Sequence, residues 1–328
     1  MRLPSLLRQF LAQSLVWTAL CLLTESVCGF ILHWGFPYNY PAPPATSIFD
    51  DFRLYISRFA YFRTPRFFES IPPYPAPASV LYKLFLLPQP THIRFAVFRY
   101  ILAILITSWV MLFAFRRALI RHGLAPRSAS FFVLGTYLFS YPLWFEVHQA
   151  NLEFITWGLV TGGLAAYWLK RNRLAAVLLG LAAAIKIVPV LLLGLFLAQK
   201  QYRALALALA TTALFTLLSL WIWYPDIAYS WHASSVALKG ITDMSALQLL
   251  LVHSGFDHSL FSLFKRLLPV LPPPAQLAPL LTGYQALTAV AGCILFFVRI
   301  RHLPLINQIL CLSVAVTLFP PVSYDYTL

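Results

Sequence analysis

The sequence is short of charge, and shortest of all in carboxylates. Only 10% of its 328 residues are charged, whereas a soluble domain carries about 25% charged residues. Apolar residues make up 60% of the chain, and the mean hydropathy is +0.75. This composition excludes a soluble globular protein and is typical of a chain that lies in a bilayer, where each crossing takes ~20 apolar residues.

Cysteines and nucleotide-binding motifs are scarce as well. The four cysteines, Cys21, Cys28, Cys293 and Cys311, lie in apolar segments without the spacing of metal ligands. We therefore predict neither a disulfide framework nor a structural zinc site. The sequence has no phosphate-binding glycine loop and no Gly-x-Ser-x-Gly motif, so ATP-driven and serine-hydrolase chemistry find no support. We expect no cofactor, with the need for a divalent metal left open.

Basic residues, in contrast, are plentiful and form clusters at the ends of apolar runs. The chain has 24 Lys and Arg against 10 Asp and Glu, a formal net charge of +14. A nucleic-acid-binding protein would collect such charge into a solvated patch with a reading motif, and since neither is found we predict no nucleic-acid partner. The clusters instead follow the positive-inside rule, which keeps Lys and Arg in the cytoplasm. Arg2 and Arg8 therefore place the N-terminus there, and the long apolar run after them is predicted to be an uncleaved span.

The clusters predict an all-α fold, a polytopic bundle of transmembrane helices that forms a single module over residues 1–328. External loops are predicted at about 34–94 and 224–277. The apolar stretch 78–88 is too short to cross and is predicted to be a helix at the outer surface. About seven crossings are predicted, at residues 10–33, 95–115, 128–146, 152–169, 204–224, 278–298 and 305–318.

Residues 174–198 are long enough to cross but have basic residues at both ends. Lys186 and Pro189 interrupt the segment. Proline breaks the helical hydrogen-bond ladder, and an ammonium at bilayer depth requires a cavity or a partner. We predict two half-helices that form a hairpin with both ends in the cytoplasm. A single crossing is the alternative, and it would invert every element that follows.

On this topology the carboxylates are one-sided, because Glu25 lies in the first span and the other nine fall on outer segments. The positive-inside rule concerns Lys and Arg and does not require this placement, which therefore suggests that the chemistry is outside. Asp50 and Asp51 stand out because Phe49 and Phe52 flank them. A carboxylate beside an apolar surface accepts a proton more readily, which suits a general base. Alternatively, the pair caps a helix that begins at Phe52.

Three further sets of polar residues have both a functional and a structural interpretation. The arginines of the first loop match phosphate oxygens with a fork of donors, but such residues also bind lipid headgroups. Lys186, deep in an apolar run, indicates either a functional site or a lysine that snorkels to the surface. The polar group at an outer turn either caps two helices or binds sugar hydroxyls. These residues are Arg53, Arg58, Arg63 and Arg66 in the loop, and His148, Gln149, Asn151 and Glu153 at the turn.

Six motifs, spread from Asp51 to the end of the sequence, resemble those of glycosyltransferase family 87 and occur in the same order as in that family. This family belongs to the GT-C superfamily, uses polyprenyl-phosphate sugars and is related to bacterial mannosyltransferases. His148 departs from the family pattern, in which Gly is common, and Asp257-His258 replaces a common Asn-Gln. Such families usually continue with further membrane helices, so a truncation after Leu328 is an open alternative. The motifs are DFRLY (51–55), PPYPAPASVLYKLFLLP (72–88), HQANLEF (148–154), GLAAAIKIVPVLLL (180–193), DHSLFSLFKRLL (257–268) and SYDYTL (323–328).

The resemblance implies a GT-C-like bundle that moves a hexose such as mannose from a polyprenyl-phosphate donor to a lipid or glycan acceptor, with inversion. It also implies the inner membrane of a bacterium, with the active site facing the periplasm. Asp51, with Asp50 beside it, would be the general base. The residues implied to bind the donor phosphate are Arg63, Arg66, Lys186, Arg266 and His258. Those implied to bind the acceptor or the sugar are His148, Gln149, Asn151, Tyr324 and Asp325.

Two other functions stay open. A transporter or lipid-sugar flippase would also use a broken helix near mid-membrane, but residues 174–198 have no inverted counterpart elsewhere in the sequence. A non-catalytic paralogue is the other alternative.

Overall fold

The chain is helical, with no β-strand in the part that the computed structural model describes, residues 52, 58–68, 74–87, 93–121, 123–138, 152–243, 259–267 and 274–320. The α-helices are α1 (Pro65–Phe68), α2 (Ala76–Leu86), α3 (Ile93–Arg121), α4 (Pro126–Leu138), α5 (Glu153–Trp168), α6 (Asn172–Ile185), α7 (Gly194–Ala198), α8 (Tyr202–Trp223), α9 (Ile227–Asp243), α10 (Leu260–Leu267), α11 (Pro274–Val298) and α12 (Leu305–Leu318). Short 3₁₀ turns occupy Arg58–Tyr61, Val188–Leu193 and Ile300–His302. The predicted all-α fold is confirmed.

Three helices in the described part of the chain are long and apolar enough to cross a membrane: Phe95–Arg121 of α3, all of α8, and Ala278–His302. Their surfaces are apolar and exposed, with Trp109 67% and Leu287 68% accessible. Water would not tolerate so much apolar surface, whereas lipid tails cover it without cost. The protein is therefore an integral membrane protein.

These three helices coincide with the crossings predicted at 95–115, 204–224 and 278–298. The crossings predicted at 152–169 and 305–318 coincide with α5 and α12, which have 16 and 14 residues and are shorter than a full span. The crossing predicted at 128–146 is described only as α4, up to Leu138. The crossing predicted at 10–33 lies outside the described residues.

The segments predicted as external loops contain more helix than expected. Helix α2 matches the short surface helix predicted at 78–88. The segment 224–277, in contrast, contains α9, α10 and the start of α11. Asp226 Oδ1 accepts a hydrogen bond of 3.0 Å from the backbone N–H of Tyr229 and so caps α9. The start of α9 thus carries a capping signal that the sequence interpretation overlooked.

The segment 174–198 is a broken helix. Helix α6 ends at Ile185, Lys186 has extended backbone (φ −138°, ψ 130°), and the chain resumes in the 3₁₀ turn and α7. The 14 residues of α6 rise ~21 Å. The 6-residue turn and 5-residue α7 together cover ~20 Å, so the two halves have nearly equal length.

Contacts at the base show that the second half returns to the level where the first begins. Tyr167, which shortly precedes α6, donates a 3.1 Å hydrogen bond from its hydroxyl to the Leu195 carbonyl. Its ring lies 5.3 Å from that of Phe196. The two half-helices are therefore a hairpin, as predicted, and a single crossing is excluded.

The hairpin is enclosed by its neighbours. Helix α5 runs antiparallel to α6, while α8 rises parallel to it, with Ala204 and Ala208 beside the start of α6. Gln199 Nε2 donates to Gln308 Oε1 (3.4 Å), and Gln308 Nε2 donates to the Arg301 carbonyl (3.1 Å). These contacts bring the basic residues at 170–173, 200–203 and 299–301 to one end of the bundle, hereafter the basic end.

A cluster of buried aromatic residues, the aromatic cluster, marks the opposite end. It joins the first described residues to the starts of α3 and α5 and the ends of α6 and α8. Its fully buried rings are Phe52, Phe59, Phe67, Tyr82, Tyr100, Phe154 and Trp223.

Gly180 is expected to be indispensable for the packing of α6 on α8. A Cβ at this position would lie 2.5 Å from the Ala208 carbonyl oxygen and 3.1 Å from Thr211 Cβ. Because the nearer contact is backbone, Gly180→Ala must push the helices apart, and we expect it to lower the free energy of unfolding by about 1–3 kcal/mol.

Gly162→Ala on α5 is the matched control for this prediction. Its Cβ would meet only Leu178 Cδ1, at an ordinary 3.5 Å. Unfolding in detergent with increasing SDS measures both variants, and equal stability of the two would contradict the assigned α6–α8 contact.

Candidate functional site

The break in the hairpin carries an ion pair. Lys186 Nζ donates to Glu153 Oε1, and the Glu153 side chain is only 6% exposed against 23% for Lys186. Glu153 is the first residue of α5, and Lys186 directly follows the last residue of α6. Because α5 and α6 are antiparallel, these two helix ends lie side by side.

Burial explains why the two residues depend on each other. Taking one charge out of water costs several kcal/mol, so a charge at this depth needs a counter-charge. Lys186 has extended backbone beyond the end of α6, and its ammonium contacts the Glu153 carboxylate. The ammonium keeps a partial opening to its surroundings, while the carboxylate is almost enclosed.

A cavity of about 380 Å³ opens beside the ion pair, between α5, the hairpin and the end of α12. Its wall is mostly apolar, and its charge is confined to the ion pair. The polar lining residues are Glu153, Lys186, Thr156 and Ser313, and the apolar ones are Trp157, Val160, Val188, Pro189, Leu192, Val314, Val316 and Leu318. Such a lining suits an amphiphile whose polar end meets the ion pair and whose apolar part contacts the walls.

The aromatic cluster connects this cavity to the first loop. Phe154 and Ile185, the chain neighbours of Glu153 and Lys186, belong to the cluster, and so does Phe52. The Phe52 ring lies 4.8 Å from Tyr100 and 5.9 Å from Tyr82. The residue that follows Asp51 is therefore anchored in the same core as the ion pair.

Arg63 caps the end of α8. Its backbone has φ +65°, its N–H donates to the Trp223 carbonyl (3.0 Å), and its Nε donates to the Ile222 carbonyl (3.4 Å). Its guanidinium also lies 5.2 Å from the Trp221 ring. A cation at a helix C-terminus satisfies carbonyls that have no partner in the helix, so Arg63 has a structural role here.

Two other cations lie near aromatic rings. The Arg66 guanidinium lies 4.2 Å from the Tyr61 ring, and the Lys83 ammonium lies 5.7 Å from the Phe62 ring. Burial lowers the pKa of Lys83. Of the predicted phosphate-binding side chains that the structure describes, Lys186 lines the cavity, whereas Arg63 and Arg66 do not.

The remaining predicted site residues cannot be compared with the structure in this way. Arg266 lies in α10, but its side chain is outside the described part. Outside the described residues altogether lie Asp50, Asp51, His148, Gln149, Asn151, His258, Tyr324 and Asp325. In the described part, no three His, Cys, Asp or Glu residues come together as a metal site would require.

Glu153 is the residue whose role the sequence interpretation missed. It was grouped with the polar turn and not paired with Lys186. A signal was present, because the two residues lie almost equally far from Lys170, where the chain turns between α5 and α6. In an antiparallel pair of helices, residues equidistant from the turn face each other.

The chain is thus a helical integral membrane protein with a broken-helix hairpin and an ion-paired cavity. The sequence profile of glycosyltransferase family 87 matches residues 73–321, about three quarters of the chain. The protein belongs to glycosyltransferase family 87 and is a membrane glycosyltransferase. No curated protein and no solved structure matches the chain. The matched segment includes Glu153 and Lys186, while Asp51 precedes it.

Proposed function

We propose that the protein transfers a hexose, mannose in the first instance, from a polyprenyl-phosphate donor to a lipid or glycan acceptor. The reaction takes place at the extracytoplasmic face of a bacterial inner membrane. The observation that carries the proposal is the Lys186 ammonium at the break of the hairpin, exposed to a cavity whose other walls are mostly apolar.

The donor matches this cavity in its chemistry. A polyprenyl-phosphate sugar has one anionic group between a polar sugar and an apolar chain. A cation in a region of low dielectric attracts the phosphate far more strongly than it would in water, and the apolar walls accept isoprene units. A nucleotide sugar would instead require a polar cleft for its base and diphosphate.

The proposed reaction is a direct displacement. The acceptor hydroxyl attacks the anomeric carbon, and its proton passes to the Asp51 carboxylate. The bond between the anomeric carbon and the phosphate oxygen breaks, and polyprenyl phosphate leaves with the electron pair, so the configuration inverts. Lys186 stabilises the charge that develops on the leaving oxygen, and no separate acid is needed.

The position of Asp51 in this scheme depends on its neighbour. Consecutive Cα atoms lie ~3.8 Å apart, and Phe52 is buried in the aromatic cluster that also contains Phe154 and Ile185. This supports a place for Asp51 within reach of the cavity mouth, with Asp50 next to it.

The other residues implied by the resemblance keep proposed roles. Lys186 is the principal phosphate-binding residue. The guanidinium groups of Arg63 and Arg66 contact α8 and the Tyr61 ring, so these two residues would attract the phosphate electrostatically without contacting it. Further phosphate-binding roles are proposed for Arg266 and His258. Binding of the acceptor or the sugar is proposed for His148, Gln149, Asn151, Tyr324 and Asp325.

A transfer assay with purified protein in liposomes tests the proposal. With polyprenyl-phosphate mannose and a membrane lipid extract, we expect a mannosylated product of inverted anomeric configuration. A nucleotide-linked mannose should give none. Movement of the lipid-linked sugar across the bilayer without any product would contradict the proposal and favour a flippase.

Cysteine labelling tests the proposed orientation. Lys200 and Asp226 flank opposite ends of α8, so they should lie on opposite sides of the membrane. After replacement of the native cysteines, we expect Asp226→Cys to react with an impermeant thiol reagent in intact spheroplasts, and Lys200→Cys to react only after lysis. The reverse pattern would place the cavity mouth in the cytoplasm and overturn the proposed periplasmic site.

A further inference from the structure

The turn between α3 and α4, at the basic end, is well defined by a hydrogen bond and a small hydrophobic core. Gly123 adopts φ +90° to reverse the chain, and its N–H donates to the Ile120 carbonyl (3.0 Å). Behind the turn, a small core holds the two helices together, formed by the buried residues Leu119, Leu124, Ala129, Phe132 and Val133.

A second cavity, of about 220 Å³, opens beside this turn, between the end of α3 and the start of α4. Arg116 Nε donates to Ser130 Oγ (2.8 Å), and Ser130 Oγ donates to the Pro126 carbonyl (3.0 Å). The half-buried Arg116 is thus held in one orientation, which leaves its other guanidinium N–H groups for a ligand. Arg127 lines the same cavity.

The arginines here have no counter-charge on their own helices. Arg116, Arg117, Arg121 and Arg127 fall within twelve residues, and the sequence has no Asp or Glu between Glu69 and Glu146. The like charges of Arg116 and Arg127, which line the same cavity, repel each other, and an external anion would relieve that repulsion.

The remaining walls of the cavity are apolar and open to the surroundings. Phe131 is 80% exposed and Leu134 is 49% exposed, and both line the cavity beside the arginines. Since these side chains lie on α4, one turn apart, they form a strip that leads away from the guanidinium groups along the helix. An anion attached to an acyl chain can contact both the arginines and this strip, whereas a small soluble anion contacts the arginines alone.

We propose that this cavity binds an anionic glycerophospholipid, distinct from the sugar donor. The phosphodiester oxygens accept hydrogen bonds from Arg116 and Arg127, which matches the planar fork of a guanidinium. An acyl chain lies along Phe131 and Leu134. A zwitterionic lipid carries its own cation next to the phosphate and neutralises the arginines less well.

Native mass spectrometry of the full chain, released from detergent with defined lipids, tests this site. We expect the protein to retain phosphatidylglycerol in preference to phosphatidylcholine. Arg116→Ala should weaken phosphatidylglycerol retention about tenfold, as expected for the loss of a hydrogen bond to a charged group. Ser130→Ala, which keeps every charge but frees the guanidinium, should weaken it less.

Arg117→Ala is the matched control, because Arg117 is exposed and adjacent but does not line the cavity. It should retain the lipid nearly as well as the unmodified protein. Equal losses in the Arg116 and Arg117 variants would overturn the proposal and indicate diffuse attraction. Equal retention of the two lipids, or displacement of the lipid by millimolar inorganic phosphate, would overturn it as well. None of these outcomes bears on the transfer reaction.

Discussion

Replacement of Asp51 with Asn is expected to reduce sugar transfer about 10²–10⁴-fold, the usual contribution of general acid–base catalysis. The amide is almost isosteric with the carboxylate but cannot take the proton of the acceptor hydroxyl. Because Lys186 and the apolar walls of the cavity are unchanged in this variant, the KM for the donor should stay close to that of the unmodified protein. Initial rates with polyprenyl-phosphate mannose measure both quantities.

Asp226→Asn is the control for this variant. Asp226 caps α9 through its side-chain oxygen, and Asn caps a helix as well as Asp does, so one negative charge is lost without harm to the fold. We expect its transfer rate to be unchanged. Undiminished transfer by the Asp51 variant would show that another group is the base, with Asp50 the next residue to replace.

Replacement of Lys186 with Met is expected to impair both transfer and stability. Loss of the cation at the leaving phosphate should lower kcat about 10²–10³-fold, comparable to the loss of one oxyanion-stabilising donor. The change also leaves the nearly enclosed Glu153 carboxylate without its partner. Removal of one member of a buried pair costs about 3–5 kcal/mol, which SDS unfolding should detect.

The double variant Glu153→Gln, Lys186→Met separates the two effects. Removal of both charges restores most of the stability, because no uncompensated charge remains. Transfer should stay as low as in the Lys186 variant, since the phosphate still lacks its cation. Recovery of transfer together with stability would mean that Lys186 only supports the fold, and the proposed role in catalysis would be wrong.

The two proposals about this protein can fail separately. The cavity of the proposed donor site lies near the aromatic cluster, between α5, the hairpin and α12, whereas the cavity of the proposed lipid site lies at the α3–α4 turn. The sugar-transfer assay measures the effect of the Asp51 and Lys186 variants, and native mass spectrometry measures lipid retention by the Arg116 and Ser130 variants. A variant that loses one of these properties and keeps the other would show that its substitution affects only one of the two sites.

Much of the fold could be predicted because hydrophobicity and charge act locally along the chain. Long apolar runs become helices in a bilayer, since only internal hydrogen bonding satisfies their backbone. The basic flanks of residues 174–198, with Lys186 and Pro189 between them, favoured the hairpin over a single crossing, which stayed open as the alternative. Helix α9 was not predicted, because Asp226 was interpreted only as a charged residue of an outer loop and not as a helix cap.

The site was harder to predict because its parts are far apart in sequence. Lys186 could be singled out, since an isolated cation in an apolar run is costly wherever it lies. Arg63 is equally suited to phosphate by its chemistry, and the structure shows that it caps α8 through Ile222, which is 159 residues away in sequence. Only the arrangement of the helices distinguishes these two uses of a basic side chain.

By itself, the sequence determined that the protein is an α-helical membrane protein, where its helix breaks, and that Lys186 needs a cavity or a partner. The tertiary structure alone decided that the partner is Glu153, and that an apolar cavity opens beside the pair. The reason is physical. Burial and helix propensity are summed over neighbouring residues, whereas an ion pair depends on a distance of a few ångströms between two helix ends, which only packing brings together.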